Sequence, residues 1–321
     1  MNSRVLTLLL LALTLAAFML SLMAGKVWIW PTSWVADNAD GWIFIELRLP
    51  RAVLGLCIGA VLGLSGAVMQ GYLRNPLADP TVLGVSASAA LGGVVAIYLG
   101  LNMLPFGLFA CAMLGAGASI LLLLAISRGG GPIGFILGGM VLSTLAGALT
   151  AFVISIAPNP FAASEIINWL MGALTDRLIT DVWTALPFMA LGALLLFFTG
   201  RALDALTLGE NGARSLGIDL FRLQWIIVIG VGLAVGASVA VSGVVGFVGL
   251  IVPHLIRAAY GELPSRILLP SALGGAILTL TADSLVRLVP GPGEVRLGIA
   301  MAVLGAPFFL LLLLRYRKAS A

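Results

Sequence analysis

Long apolar runs alternate with short polar connections along this chain. Ten such runs cover residues 5–25, 51–71, 80–100, 105–126, 132–156, 183–200, 223–242, 244–260, 267–288 and 298–315. A helix needs roughly 20 apolar residues to cross a bilayer, whereas a barrel strand needs only about 10. Helices also satisfy their own backbone hydrogen bonds in lipid. The pattern therefore predicts an all-α integral membrane protein with about ten transmembrane helices.

Two of the runs have features that predict more than a regular membrane-spanning helix. The run at 244–260 is short and contains Pro253 and His254, which favours a broken or tilted helix. The run at 5–25 follows Arg4 and is longer than a usual signal-peptide core, so we favour an uncleaved first helix over a signal peptide.

Glycine pairs spaced four apart suggest close helix contacts, although single pairs also arise by chance in a chain with 40 glycines. They are Gly55/Gly59, Gly59/Gly63 and Gly232/Gly236.

Three longer polar connections separate the runs, at 26–50, 157–182 and 201–222. The first contains four tryptophans, a residue that favours the membrane–water interface, so we expect this segment to lie along a surface. The third reads as two short helices, one including Ala202–Leu208 and one from Gly209 to about Gly217. Glu210 and Arg214 have the spacing of a helical ion pair. Either this segment docks on a soluble partner or it is an ordinary solvated loop.

Composition supports a membrane location. Of 321 residues, 61% are hydrophobic and 9% are charged, whereas soluble domains carry about 25% charged residues. Ten helices place both termini on one side. Of the 17 Lys and Arg residues, eleven then fall on the side of the termini and six on the other, which predicts cytoplasmic termini. The net charge of +4 fits basic cytoplasmic loops rather than nucleic-acid binding.

Chemical motifs are scarce. The Gly-rich stretch at 291–298 lacks the Lys of a phosphate-binding loop and is better read as a turn. With one His and two Cys in apolar runs, no metal site or nucleophile is legible, so we expect a chain that is not an enzyme and binds no cofactor. Asp283 lies in an apolar run four residues before Arg287; we favour an ion pair over a proton relay. The energy source is therefore expected on another chain.

Several motifs, in order, resemble the FecCD-type permeases of ABC importers, which take up ferric siderophores, heme and cobalamin. They are RLPR (Arg48–Arg51), SGAVMQGYLRNPLADPTVLG (Ser65–Gly84), NWLMGAL (Asn168–Leu174), LGENGARSLG (Leu208–Gly217), GFVGLIVPHLIR (Gly246–Arg257), TADSLVR (Thr281–Arg287) and GAPFFLLLLLR (Gly305–Arg315). The resemblance covers nearly the whole chain. It implies a single transmembrane permease domain over 1–321 with the type II ABC importer fold, in the bacterial cytoplasmic membrane.

The resemblance also implies partners and site residues. A second permease subunit (a copy or a paralogue), two cytoplasmic ATPases that use ATP, and an external binding protein are expected, besides membrane lipid and without nucleic acid. The implied ATPase-coupling residues, within a coupling segment at 201–222, are Leu208, Gly209, Glu210, Ala213, Arg214 and Gly217. The implied docking residues for the binding protein are Arg48, Arg51 and Arg287, with Arg296 added to the patch. Candidate pathway residues on the fifth helix are Ser143, Thr144 and Thr150, although packing is favoured for each.

The sequence departs from the family pattern at three positions. Ser88 replaces a Gly, Arg296 replaces a Pro and Met301 replaces a Thr, which affects substrate detail rather than the class. His254 lies in a shared motif, and a structural or coupling role is favoured over a heme or metal ligand. We expect a ferric siderophore as cargo, with heme or cobalamin as alternatives. A secondary transporter driven by an ion gradient and a membrane enzyme or scaffold are less favoured readings.

Overall fold

The computed structural model describes residues 3–34, 38–126, 131–290 and 293–319, without the side chains of 131–133, 313 and 315–319. Arg128 and residues 291–292 of the predicted Gly-rich turn lie outside the described residues. The side chains of Arg315, Arg317 and Lys318, which were counted on the side of the termini, also lie outside them.

Fourteen α-helices make up most of the described part of the chain, which contains no strand. They are α1 (Ser3–Met23), α2 (Ala39–Ile43), α3 (Leu49–Tyr72), α4 (Val85–Tyr98), α5 (Gly107–Ile126), α6 (Gly131–Ser155), α7 (Pro160–Leu170), α8 (Ile179–Phe197), α9 (Gly200–Leu206), α10 (Gly209–Ser215), α11 (Leu220–Ser242), α12 (Val248–Tyr260), α13 (Pro264–Leu288) and α14 (Leu297–Ala319). Each of the ten apolar runs corresponds to one helix. The two short helices predicted within 201–222 are α9 and α10.

The lengths of these helices match a membrane protein with many spans. Among the described residues, seven helical stretches are long and apolar enough to cross a membrane. Three shorter apolar helices, Val85–Tyr98, Val248–Tyr260 and Leu297–Leu312, complete the set of ten. The predicted all-α membrane fold is confirmed.

The connection at 26–50 differs from the prediction of a surface segment. Residues Ala39–Tyr72 form one helical stretch of 34 residues, because α2 continues through a π-helical turn at Phe44–Arg48 into α3. Pro50 has no amide hydrogen and cannot donate to the Glu46 carbonyl, and the π turn adjoins this interruption. Trp28, Trp30 and Trp42 are exposed, as expected, but Ile29 between them is fully buried. The segment at 157–182 likewise contains a helix that was not predicted, α7.

The centre of the fold is formed by α3, α11 and α13, and α3 and α13 share its most extensive contact. Their backbones approach so closely that a Cβ on Gly59 would meet the Gly275 carbonyl and one on Gly63 would meet the Ser271 carbonyl. The Gly59/Gly63 pair is therefore a true helix contact. By contrast, α1, α5, α6 and α8 bury only a minor part of their surface within the chain.

The break predicted in the run at 244–260 lies at its beginning. Residues 243–247 are not helical, and Gly243 and Phe247 adopt positive φ angles of 70° and 68°. A Cβ on Gly243 would also meet the Trp169 carbonyl oxygen, so this turn packs against the end of α7. The helix α12 then spans only 13 residues and contains Pro253.

Candidate functional site

Polar groups concentrate at the two ends of the helical body, and α3 runs from one to the other. We call them the Arg51 end, at the start of α3, and the α10 end, near Tyr72. The predicted docking and coupling residues divide between them. The four arginines predicted to dock the binding protein lie at the Arg51 end, and the predicted coupling residues lie at the α10 end.

A buried ion-pair network occupies the Arg51 end. Arg51 donates from Nε and Nη2 to both oxygens of Asp283, at 2.9–3.2 Å. Asp283 also accepts from Arg287 Nη2 at 2.7 Å. The Asp283 side chain is only 1% exposed. The predicted pair of Asp283 with Arg287 is therefore confirmed, and Arg51 is a second partner 232 residues away in sequence.

Arg287 also caps the C-terminal end of α1. Its Nη1 donates to the carbonyls of Ser21 and Ala24 at 2.9 and 3.1 Å, and its Nη2 donates to Ser21 Oγ at 2.7 Å. The last carbonyls of a helix have no partner within that helix. Arg287 supplies hydrogen bonds at the end of α1 and so joins α1 to α13.

Glu294 is the second carboxylate of the network. It lies in the connection between α13 and α14 and accepts from Arg51 Nη1 at 2.8 Å. The Thr175 hydroxyl donates to the same Glu294 oxygen at 3.3 Å. Nearby, the Gly298 amide donates to the Gly172 carbonyl at 3.1 Å. Glu294 therefore holds the connection before α14 against α3 and against the loop that follows α7.

Arg48 has a different environment from Arg51. Its Nη2 donates to the Val27 carbonyl at 3.0 Å, and the guanidinium lies against Gly25. Its Nη1 is buried and has no hydrogen-bond partner in the part of the chain that the structure describes, and the residue is only 9% exposed. Among the ion pairs of the described residues, none includes Arg48. A buried guanidinium without a carboxylate is a costly arrangement unless a partner completes it.

Arg296 lies apart from the buried network, in the connection to α14, and is half-buried. Arg177 is close to it on the loop after α7. Burial lowers the pKa of the Arg177 guanidinium, Asp181 and Asp176 raise it, and the positive charge of Arg296 lowers it further. The four predicted docking arginines thus fall into a buried set of three and one more accessible residue.

The coupling segment at the α10 end combines a rigid helix with exposed apolar groups. Ala213 is fully buried and anchors α10. Gly217 has φ 81°, and the bonds from Ile218 N to Ala213 O and from Gly217 N to Arg214 O close the predicted left-handed C-cap. Leu208 and Leu216, at either end of α10, are 69% and 61% exposed. Both leucines are therefore accessible for contacts outside this chain.

The predicted ion pair within α10 is wrong. No ion pair of the described residues joins Glu210 to Arg214. The helix has only seven residues, and the two side chains sit in its first and last turns. There each charge has the sign that the helix dipole favours. Both groups are thereby left for contacts outside the helix.

A buried glutamine connects α3 to α12. Pro253 has no amide hydrogen, so the Gly249 carbonyl lacks its helical donor. Gln70, 2% exposed, donates from Nε2 to that carbonyl at 3.1 Å, and its Oε1 accepts from Arg257 Nη1 at 2.6 Å. Gln70 lies in the motif Ser65–Gly84, for which the sequence predicted no separate role of this residue. The signal that could have indicated one is an amide side chain inside an apolar run.

A cavity of about 500 Å³ opens beside Gln70 at the α10 end and is lined by Arg74, His254 and Arg257, among others. The His254 ring packs edge-on against Phe308, with ring centroids 6.0 Å apart. No cluster of three or more His, Cys, Asp or Glu residues that could hold a metal ion occurs in the part of the chain that the structure describes. The observed contacts of His254 are those of a packing residue.

Two of the candidate pathway hydroxyls on α6 are bonded within the chain. Ser143 Oγ donates to the Thr81 carbonyl at 3.3 Å, and Thr144 Oγ1 donates to Met140 O in its own helix at 2.9 Å. Thr150 is half-buried on the same helix. Much of α6 faces outward, with Met140, Leu145 and other large apolar side chains exposed.

Comparison with known proteins gives this architecture a family. The model of the FecCD transport family matches residues 13–315. The vitamin B12 import system permease protein BtuC of Salmonella typhi is 38% identical over 307 residues, which is 94% of this chain and 93% of that protein. The chain belongs to the FecCD transport family.

Further relatives agree with this assignment. The uncharacterized ABC transporter permease protein YvrB of Bacillus subtilis is 38% identical over 283 residues, which is 86% of this chain and 80% of that protein. A solved structure, described as an inward-facing conformation of a transporter assigned to the metal-chelate type of ABC transporters, matches with a TM-score of 0.89 at 31% identity. The match covers 97% of this chain and 99% of the chain in that structure. PsaBC of Streptococcus pneumoniae shares the fold alone, with a TM-score of 0.54 and 19% identity over 82% of this chain and 90% of that one.

As a member of this family, the chain is a multi-pass permease of the inner membrane. It is the transport subunit of an ABC importer, which works with ATPase subunits and a binding protein.

Proposed function

We propose that this permease carries a metal chelate, with a ferric siderophore as the expected cargo. The full-length structural relative is assigned to the metal-chelate type, which supports this class of cargo. Vitamin B12 is the second candidate, because permeases named for it are 38% identical over 94% of this chain. Both are large metal complexes, and heme is a third member of that class.

We further propose that the termini and α10 face the cytoplasm. The excess of basic residues on the side of the termini supports this orientation. On that side, Leu208 and Leu216 flank the helix, Gly209 and Gly217 shape its ends, and Glu210 and Arg214 offer charges to an ATPase groove. The exposed apolar ends of α10 are the observation that carries the coupling proposal. ATP is bound and hydrolysed by the ATPase, and this chain holds no cofactor.

The Arg51 end would then receive the external binding protein. Arg48, Arg51 and Arg287 form a positively charged, buried floor, and Arg296 is the more accessible arginine beside it. An acidic side chain of the binding protein would complete Arg48, because an arginine fork pairs with a carboxylate in a bidentate manner.

A second permease subunit would cover the outward faces of α6 and α14, as a copy or a paralogue. Cargo would pass along that interface, near Ser143, Thr144 and Thr150 of α6. Rocking of the two subunits would alternate access between the two sides of the membrane. In this proposal the chain forms a single transmembrane domain, with 201–222 as the coupling segment within it.

Cargo is tested with the binding protein encoded beside this chain. Its affinity for ferric siderophores, heme and cyanocobalamin is measured, followed by ATP-dependent accumulation of each bound compound in liposomes that contain the complete transporter. We expect a ferric siderophore to bind and accumulate. Accumulation of cyanocobalamin or heme alone would contradict the siderophore proposal and leave the class of importer intact.

A further inference from the structure

The charges of the buried network at the Arg51 end do not balance. Three guanidiniums, those of Arg48, Arg51 and Arg287, face two carboxylates, those of Asp283 and Glu294. The deficit falls on Arg48, whose buried Nη1 has no hydrogen-bond partner among the described residues. Among the residues that the structure describes, the network therefore lacks one carboxylate.

The two carboxylates already present are held very differently. Asp283 is 1% exposed and bonded to two arginines, Arg51 and Arg287. The Glu294 side chain is 25% exposed, and its contacts are Arg51 Nη1 and the Thr175 hydroxyl. Because Asp283 is enclosed, an incoming carboxylate would have to approach Arg51 on the Glu294 side. Glu294 is thus the exchangeable ligand of Arg51.

Glu294 also links the connection before α14 to the rest of the helical body. It lies three residues before Leu297, where α14 begins, so its bond to Arg51 fixes the start of α14 to α3. The same connection is held to the loop after α7 by Thr175 and by the bond from Gly298 N to Gly172 O. The start of α14 is itself packed, because Leu297 and Met301 are buried and a Cβ on Gly298 would meet the Met171 and Val244 carbonyls. Release of Glu294 would therefore free the connection before α14 rather than the helix.

We infer that Glu294 is an internal stand-in for the carboxylate of the docking partner. In the free permease it occupies Arg51 Nη1 and holds α14 against α3. When the external binding protein docks, its acidic side chain takes that nitrogen together with Arg48, and Glu294 leaves with the connection before α14. The inference rests on the proposed docking of a binding protein at this end. It assigns Glu294 as a positioning residue that docking displaces.

Glu294→Gln tests the competition. Glutamine keeps the size of the side chain but pairs weakly with Arg51, so the partner's carboxylate meets less competition there. We expect the binding protein encoded beside this chain to bind the variant transporter in nanodiscs roughly three- to tenfold more tightly than the wild type. Thr175→Val, which removes only the hydroxyl partner of Glu294, is expected to shift the affinity in the same direction by less.

The matched control is Glu165→Gln, because Glu165 is an exposed carboxylate that is bonded to Asn102 and takes no part in the ion pairs of the network. It removes the same charge, so it reports the general electrostatic gain, and we expect little change. Equal tightening by both Gln variants would overturn the inference, as would unchanged or weaker binding by Glu294→Gln.

Spin labels provide a readout that is independent of affinity. Labels at Ile45 and Val295, both exposed, report the distance between the turn before α3 and the connection to α14 in a background with Cys57→Ala and Cys111→Ala. We expect binding protein to lengthen this distance in the wild type and Glu294→Gln to lengthen it without partner. If the partner binds and the distance stays fixed in both, the stand-in role is wrong. If no partner binds the wild type, the docking proposal itself fails.

Discussion

At the scale of single residues, buried polar side chains in this protein replace hydrogen bonds that the backbone cannot make. Gln70 bonds the carbonyl that Pro253 leaves without a donor, and Arg287 bonds the terminal carbonyls of α1. In lipid an unsatisfied backbone group costs several kcal/mol. Each of these hydrogen bonds also joins two helices that are distant in sequence.

Gln70→Leu is expected to destabilise the protein by about 1–3 kcal/mol, because the Gly249 carbonyl and Arg257 Nη1 both lose a buried partner. Pro253→Ala restores an amide hydrogen that can reach that carbonyl. In the double variant the loss should therefore be smaller than the sum of the single effects. Unfolding in detergent, followed by tryptophan fluorescence, measures the cycle. Strict additivity would show that Gln70 does not act through Gly249.

Asp283→Asn should be among the most damaging single changes. It leaves Arg51 and Arg287 buried without their shared charge, at a cost of about 3–5 kcal/mol. Glu165→Gln, which removes an exposed carboxylate, is the control and should be neutral. Thermal unfolding of the two variants in the same detergent compares them. An Asp283→Asn protein as stable as the control would contradict the structural role of the pair.

Sequence spacing could predict part of this network and not the rest. The pair of Asp283 with Arg287 is a local helical spacing, and it was predicted. Arg51 lies 232 residues from Asp283, and Glu294 reaches it from a connection, so only the packing of α3 on α13 brings them together. The pair of Glu210 with Arg214 had the same favourable spacing, but a seven-residue helix does not hold the two side chains together.

At the scale of helices, hydrophobic runs predicted the number and approximate bounds of the transmembrane segments, because bilayer thickness sets their length. The pattern could not show that α2 continues into α3 through a π turn, since Pro50 is a usual helix boundary. It could not show α7 either, because an 11-residue helix leaves a weak signal. Which helices become neighbours depends on the full set of contacts, although the Gly59/Gly63 pair indicated one of them.

Gly63→Ala is expected to weaken the contact between α3 and α13 and to destabilise the protein by about 1–3 kcal/mol, since its Cβ would collide with the Ser271 backbone. Gly117→Ala in α5 is the matched control, because no atom lies within 4 Å of the added Cβ. It should be neutral or slightly stabilising, since Ala favours the helix over Gly. Thermal unfolding decides, and equal stability of the two variants would contradict the proposed packing.

At the scale of the whole molecule, α3 connects the Arg51 end with the α10 end. Its first turn carries Arg51. Its last residue, Tyr72, precedes Arg74, which has φ 48° and lies beside Gly209 of the coupling segment. Because α3 is largely buried and packed along its length on α13, we expect it to act as a rigid link between binding-protein docking and ATPase contact.

Leu216→Glu should prevent association with the ATPase while leaving the permease folded, because it places a charge on an exposed apolar surface beside α10. Leu178→Glu is the control, since Leu178 is also an exposed leucine in a connection but lies at the Arg51 end. Co-purification of the ATPase with each variant is the measurement. Normal association of Leu216→Glu would place the ATPase contact elsewhere.

We propose above all that ATP hydrolysis on a partner subunit drives uptake through α10. Liposomes containing this chain, its ATPase and its binding protein test it, with wild type compared with Glu210→Ala/Arg214→Ala and with Glu165→Ala as control. We predict ATP-dependent accumulation of the metal chelate in the wild type and the control, and at least a tenfold loss in the double variant with the complex still assembled. Uptake driven by a proton gradient without ATP, or full activity of the double variant, would contradict the claim.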